Sequence, residues 1–275
     1  MRAALSLTLA LGAGGFALPA LAQERIVVAG SALCEIVAAL DASDRMVGRD
    51  TTCTYPESMA DLPDMGYLRA LSAEGLLSLN PDLILADVDA GPPETMDLVA
   101  ATDVPVVRVE ADFTQTGVIE RIDAVAQALG VDGGPLAMQV EAEFEALAQA
   151  RAGAGPVSAM FVLSAAGGRI LASGAGTAAS GMLELAGAEN AITGFDGYRQ
   201  LTDEAITAAA PDVIVMMDRA GDHALDDAAI IAHPALGLTP AAQNGRIVRM
   251  DGVYLLGFGP RTPAAARDLI TALQE

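Results

Sequence analysis

The chain has 275 residues, with 36 acidic against 15 basic side chains, giving a formal charge of −21. That length allows one large domain or two medium ones with proper cores, and a chain 52% hydrophobic and 19% charged is neither disordered nor fibrous. Every basic residue is arginine, and the surplus of carboxylates repels polyanions, which excludes nucleic acid and anionic membrane surfaces as natural partners.

Residues 1–22 combine one positive charge, Arg2, with a short apolar stretch and an Ala-Leu-Ala ending at Ala22. This is the pattern of a cleaved secretory signal peptide, and Gly12, Gly14, Gly15 and Pro19 suit it better than a membrane anchor. Arg25–Gly30 reads as a short buried strand, followed by a helix from an N-cap at Ser31 through Leu40. Arg45–Gly48 is a second strand. A helix opens at Ser72-Ala73-Glu74 and stops at Asn80-Pro81, before strands over Asp82–Ala86 and Val104–Val109. Strands alternating with helices imply a parallel sheet with its ligand loops at the carboxyl ends.

The second half repeats this grammar about 130 residues later. Gly66 to Glu74 is answered by Gly197 to Glu204, and Asn80-Pro81-Asp82 by Ala210-Pro211-Asp212, each followed by an apolar strand. The expected organisation is therefore α/β, with two similar lobes built on parallel central sheets: an N-terminal lobe at 23–133 and a C-terminal lobe at 153–275. Between them, helices over Gly117–Leu129 and Pro135–Ala152 make residues 134–152 a stiff connecting helix. Cys34 and Cys53 both fall at the carboxyl edge of the first sheet. In an oxidising compartment they are expected to form a disulfide, the alternative being two small buried hydrophobes.

A leader followed by two α/β lobes and one connecting helix resembles the solute-binding proteins of ABC importers. More narrowly, GYLRALSAEG at Gly66–Gly75, TYP at Thr54–Pro56, AGPPE at Ala90–Glu94, the segment Ser173–Ala191 and LLGFGPRTP at Leu255–Pro263 resemble periplasmic haem-binding proteins. The lobe pattern is shared with cobalamin and ferric-siderophore binders, which stay open as alternatives. The resemblance implies haem as cargo, an importer permease as partner, an outer-membrane haem receptor system upstream, a monomeric state and a periplasmic location.

It also implies that Tyr67 ligates ferric iron, since a phenolate is a hard anionic donor suited to Fe(III), with Arg69 lowering its pKa or meeting a propionate. Arg169 and Arg261 are candidate propionate clamps, and Met65, Leu68, Leu255, Leu256 and Phe258 candidate apolar walls. His223 is a possible second ligand, whereas His233, before Pro234, reads as a turn residue. Tyr198 reads as a packing residue near the cleft, and Tyr254, at the start of a loop near Gly257, as a further candidate for cofactor binding with packing as its alternative. Glu74 and Glu204, matched across the repeat, are implied to dock on the permease; both also complement a helix N-terminus. No GxSxG, HExxH, Walker or GxGxxG occurs in its required context and only two histidines are present, so neither an enzyme nor a bare Mn(II) or Zn(II) site is expected.

Overall fold

A computed structural model describes residues 24–110, 112–218 and 226–275; the expected leader at 1–22 and His223 lie outside them. Four strands, β1 (Ile26–Ala29), β2 (Met46–Arg49), β3 (Leu83–Asp87) and β4 (Val106–Val109), form an all-parallel sheet in the order β2-β1-β3-β4. All four residues of β1 and the first four of β3 are buried, as expected for strands covered on both faces. The crossovers are α1 (Ser31–Ala39), α2 (Ala73–Ser78) and α3 (Pro93–Ala100); α4 (Gln115–Leu129) and α5 (Gly134–Ala152) then lead away from the sheet.

The second sheet departs from the expected parallel form. Its strands are β5 (Ser158–Ser164), β6 (Leu171–Ser173), β7 (Glu189–Asn190), β8 (Tyr198–Gln200), β9 (Val213–Asp218) and β10 (Ile247–Asp251), in the order β10-β9-β5-β6-β8 with β7 beside β5. β10, β9, β5 and β7 run parallel, but β6 is antiparallel to β5, and β8 to β6. β6 is reversed because the tight turn at Ala166–Gly168 leaves too few residues after β5 for a parallel crossover, and β8, antiparallel to β6, runs in the direction of β5. Around this sheet lie α6 (Ala178–Leu185), α7 (Asp203–Ala209), α8 (Asp227–Ala232), α9 (Pro240–Gln243), α10 (Gly252–Leu256) and α11 (Thr262–Gln274).

The sequence repeat has a structural counterpart at the start of the central strands. The Asp82 carboxylate accepts the Glu24 and Arg25 N–H groups at 3.0 and 3.1 Å, and that of Asp212 accepts the Ser158 N–H at 3.1 Å. Each aspartate also donates its own N–H to the opposing carbonyl, of Arg25 or Ser158, and each follows a left-handed residue, Asn80 or Ala210, before proline. The repeat diverges earlier: Tyr67 precedes a 3-10 turn at Leu68–Ala70, whereas Tyr198 enters strand β8.

Gly30, rather than Ser31, occupies the N-cap position of α1, with φ 134°. A Cβ there would lie 3.0 Å from the Asp87 Cβ, so the close approach of β1 and the end of β3 demands glycine. The Gly30 N–H reaches the buried Asp50 carboxylate at 2.8 Å, and Asp50 also accepts the Thr52 N–H and hydroxyl. This turn places Cys34 and Cys53 at a Cα separation of 5.8 Å, and the two are joined as a disulfide.

One continuous core links both sheets, running through Val28, Ile36, Ile122, Val140, Phe161 and Leu269. The buried positions Leu136, Val140, Phe144 and Leu147 form a helical stripe on α5, which packs on α4 and α11. Two arginines clasp the halves. Arg121 on α4, 2% exposed, donates Nη1 to the Gly257 and Phe258 carbonyls and Nε to the Glu110 carbonyl, all at 3.2 Å. Burial lowers its pKa against the pull of Asp87 and Asp89. Arg261 donates Nε and Nη2 to the two oxygens of Glu35, and its guanidinium lies 3.7 Å from the Tyr55 ring centroid and 5.0 Å from that of Tyr254. Burial outweighs this attraction and raises the Glu35 pKa.

Removing Arg261 leaves a buried carboxylate without its counter-charge. Arg261→Ala is expected to destabilise the fold by about 2–4 kcal/mol in urea unfolding at pH 7, less than for a fully buried pair because Arg261 is partly exposed. The Glu35 pKa is raised in the folded state, so stability falls as pH rises from its unfolded value through its folded one. The Arg261→Ala deficit should therefore shrink below the carboxylate range; an equal deficit at low and neutral pH would rule out Glu35 as its source. Reducing the Cys34–Cys53 bridge, which closes a separation of 19 residues, should cost about 3 kcal/mol by the same assay.

Candidate functional site

The carboxyl ends of both sheets face one cavity of about 900 Å3, within the range of small-molecule sites. Gly30 and Asp87 reach it from the ends of β1 and β3, and Leu163, Asp218 and Asp251 from the ends of β5, β9 and β10. Apolar surface comes from Leu68, Phe113, Leu163, Met217, Val253 and Leu256. Of the expected walls, Leu68 and Leu256 line the cavity, whereas Leu255 and Phe258 are core residues, each 1% exposed, and Met65 packs beside the first sheet. Phe258 nonetheless supports the cavity from behind, its ring meeting Phe113 edge-on at 5.1 Å.

Tyr67 and Tyr198 line the cavity from opposite halves, each after a left-handed glycine, Gly66 (φ 95°) or Gly197 (φ 78°), that turns the chain towards it. The two phenols differ in surroundings. Tyr67 is 47% exposed, and its oxygen accepts Arg69 Nη1 at 3.0 Å. Tyr198 is half-buried against Phe161; burial raises its pKa, opposed by hydrogen bonds from Thr177 and the Ala179 backbone. Burial of the Tyr198 phenol disfavours its ionised form, whereas Tyr67 presents its oxygen to the cavity beside a guanidinium. The packing role read for Tyr198 thus fits its environment, although it also faces the cavity.

Arg69 is shared between Tyr67 and Asp89, with Nη2 2.6 Å from Asp89 Oδ2. Burial pulls its pKa down, but the bonds to Asp89 and Tyr67 outweigh that and leave it raised. Further in, Arg121 Nη2 is buried with no hydrogen-bond acceptor in range among the described residues and stands 3.7 Å from Asp87 Oδ2. The lining therefore sets Arg69 and Arg121 against Asp87, Asp89, Asp218 and Asp251. Among the described residues, no group of three or more His, Cys, Asp or Glu is placed to hold a metal ion.

Three expected site residues do not line this cavity. Arg261 is committed to Glu35 and two tyrosine rings. Tyr254 donates its hydroxyl to Asp268 at 2.9 Å and is pushed up to about 12 by burial, and next by that carboxylate. Arg169 is exposed beyond the 3-10 turn between β5 and β6. Within the motif at Leu255–Pro263, Arg261 thus serves the junction of the halves while Leu256 and Gly257 line the cavity. His233 is the turn residue expected: Nδ1 accepts the Ala235 and Leu236 N–H groups, and Nε2 lies 3.1 Å from the Gly168 carbonyl.

Glu74 and Glu204 each occupy the second position of a short helix, α2 and α7, behind an N-cap hydroxyl, Ser72 or Thr202. Both are exposed, and backbone and Thr202 hydrogen bonds lower the Glu204 pKa. Residues missed by sequence reasoning are Arg121, Asp87 and Asp89. Arg121 had a visible signal: it interrupts the apolar stripe Val118, Ile122, Val125 of α4, where a buried arginine needs partners.

A model of the periplasmic binding protein family matches residues 26–254. Among solved structures, the chain is similar to the periplasmic haem-binding protein BhuT in complex with two haems, with 43% identity over 91% of this chain and 97% of that one and a TM-score of 0.86. It is also similar to the periplasmic haem-binding protein RhuT from Roseiflexus sp. RS-1 in apo form, with 38% identity over 92% and 98% of the two chains and a TM-score of 0.87. A vitamin B12-binding protein of Yersinia pseudotuberculosis is 32% identical over 105 residues, 38% of this chain and 36% of that protein, so the match spans about a third of the curated relative. With its two sheets, shared cavity and a family match over most of its length, this chain belongs to the periplasmic binding proteins.

Proposed function

We propose that this protein binds haem in the periplasm and delivers it to the permease of an ABC importer, with ferric iron ligated by the Tyr67 phenolate. The observation that carries this reading is the half-exposed Tyr67 at the cavity, its oxygen 3.0 Å from the Arg69 guanidinium. A phenolate supplies the hard anionic donor that Fe(III) takes, and the neighbouring guanidinium holds that oxygen by a hydrogen bond. The apolar lining suits a porphyrin face. Relatives named for haem binding share 43% and 38% identity with this chain over nearly their whole lengths. The reading carries with it lobes at 23–133 and 153–275, a connecting helix at 134–152, a leader at 1–22 and no enzymatic activity.

Cobalamin is the second reading, favoured by the partial match to the vitamin B12-binding protein. It gives the Tyr67–Arg69 pair no evident task, and for that reason ranks below haem.

Titrating purified apoprotein with hemin should produce a high-spin ferric spectrum of phenolate type that Tyr67→Phe and Tyr67→Ala abolish while the fold is kept. An unchanged spectrum and affinity in Tyr67→Phe would refute the ligand, and binding of cyanocobalamin in place of hemin would favour the second reading. Arg69→Ala should weaken hemin binding by about 1–3 kcal/mol, the scale of one charge-assisted hydrogen bond.

Glu74 and Glu204 fit a docking role through their matched exposure at two helix starts. Reversing both charges should leave hemin affinity unchanged and stop uptake in vesicles carrying the cognate permease. Wild-type uptake by that double variant would exclude the role.

A further inference from the structure

The Arg69–Asp89 ion pair is more than half exposed on both side chains, and an exposed pair of this kind contributes little to stability. The loop that carries Asp89 is nonetheless pinned on every side. Its N–H binds Asp87 Oδ1 at 3.0 Å, and Arg108 Nη2 holds the Val88 and Ala90 carbonyls. The Val88 N–H is bound to the Val109 carbonyl, and that of Ala90 to Asp87.

The same loop is stitched to the segment that bears Tyr67. The Gly91 N–H donates to the Leu68 carbonyl at 3.0 Å, and the Leu71 N–H donates to the Gly91 carbonyl at 2.8 Å. Asp89, Arg69 and Tyr67 are thus mounted on one fixed frame, although the arginine between them has a long, flexible side chain. Ordering such a side chain costs conformational entropy, and a second anchor on the guanidinium reduces what binding has to order.

We propose that Asp89 is a positioning residue for cargo binding, which by holding Arg69 Nη2 keeps Nη1 on the Tyr67 oxygen before haem arrives. The inference rests on the reading of Tyr67 as the iron ligand. Asp89 does not touch the cargo in this account. It acts through Arg69, so that its effect disappears when Arg69 is absent. A lone carboxylate beside an anionic cargo has the opposite sign: its removal helps binding.

The test compares wild type, Asp89→Ala, Asp89→Asn, Arg69→Ala and the double variant Asp89→Ala/Arg69→Ala. Haem loss to excess apomyoglobin and the iron–phenolate resonance Raman bands are measured, with thermal melting of each apoprotein as a fold control. Asp89→Ala should release haem about three- to tenfold faster than wild type, shift the phenolate bands towards those of Arg69→Ala and leave the melting temperature unchanged. Asp89→Asn, which keeps an oxygen acceptor for Nη2, should recover most of the wild-type rate. In the Arg69→Ala background the Asp89→Ala change should no longer accelerate release.

The proposal is overturned if Asp89→Ala releases haem at the wild-type rate or more slowly. It is equally overturned if the change accelerates release by the same factor with and without Arg69. Failure of the underlying ligand assignment is distinguishable by adding Tyr67→Phe to the series, because phenolate bands would then be absent from wild type or persist in Tyr67→Phe.

Discussion

The architecture depends on burying one arginine between the halves. Arg121 leaves a helix that follows the first sheet and spends its donors on the backbone of Gly257 and Phe258, beyond the second sheet. A guanidinium removed from water must find partners, and the carbonyls it takes come from a segment whose position is thereby fixed. That segment leads into α11, which packs along α5, and carries Arg261, whose bond to Glu35 returns to the first helix. The carboxyl ends of two sheets are held facing each other, and the cavity is the space they leave. Continuity of the apolar core across the halves makes the same arrangement stiff.

Much of this was legible in the sequence where a residue has one physical task. The Pro-Asp pairs at 81–82 and 211–212 start equivalent strands in the two halves, and their aspartates fasten the neighbouring strand in the same manner. The cap at Ser72, the helix at Gly134–Ala152, the turn at His233 and the bridge between Cys34 and Cys53 also follow from local chemistry and edge placement. The reversal of β6 was not legible, because its direction depends on a turn of a few residues that carries no polarity signal. The site was legible in part. Tyr67 and Arg69 meet at the cavity, but Arg261 and Tyr254 belong to the junction of the halves, while Leu256 and Gly257 beside them line the cavity.

On the proposed reading, an acidic protein that holds an anionic ligand has to place its few cations with care. Two arginines reach the cavity among the described residues, and four aspartates accompany them. Arg121 gives Nε and Nη1 to the backbone and sets Nη2 beside Asp87, which leaves Arg69 as the cation poised at the exposed phenol. On the proposed reading, local charge at Tyr67 counts for more than the global field, since a contact at hydrogen-bond distance is screened far less than charges a Debye length away.

The most direct test of this account is a crystal structure of the protein loaded with hemin. The account predicts iron bonded to the Tyr67 phenolate oxygen, with Arg69 still within hydrogen-bond distance of that oxygen. Iron ligated by another residue, or a porphyrin bound outside the cavity between the sheet ends, would contradict it.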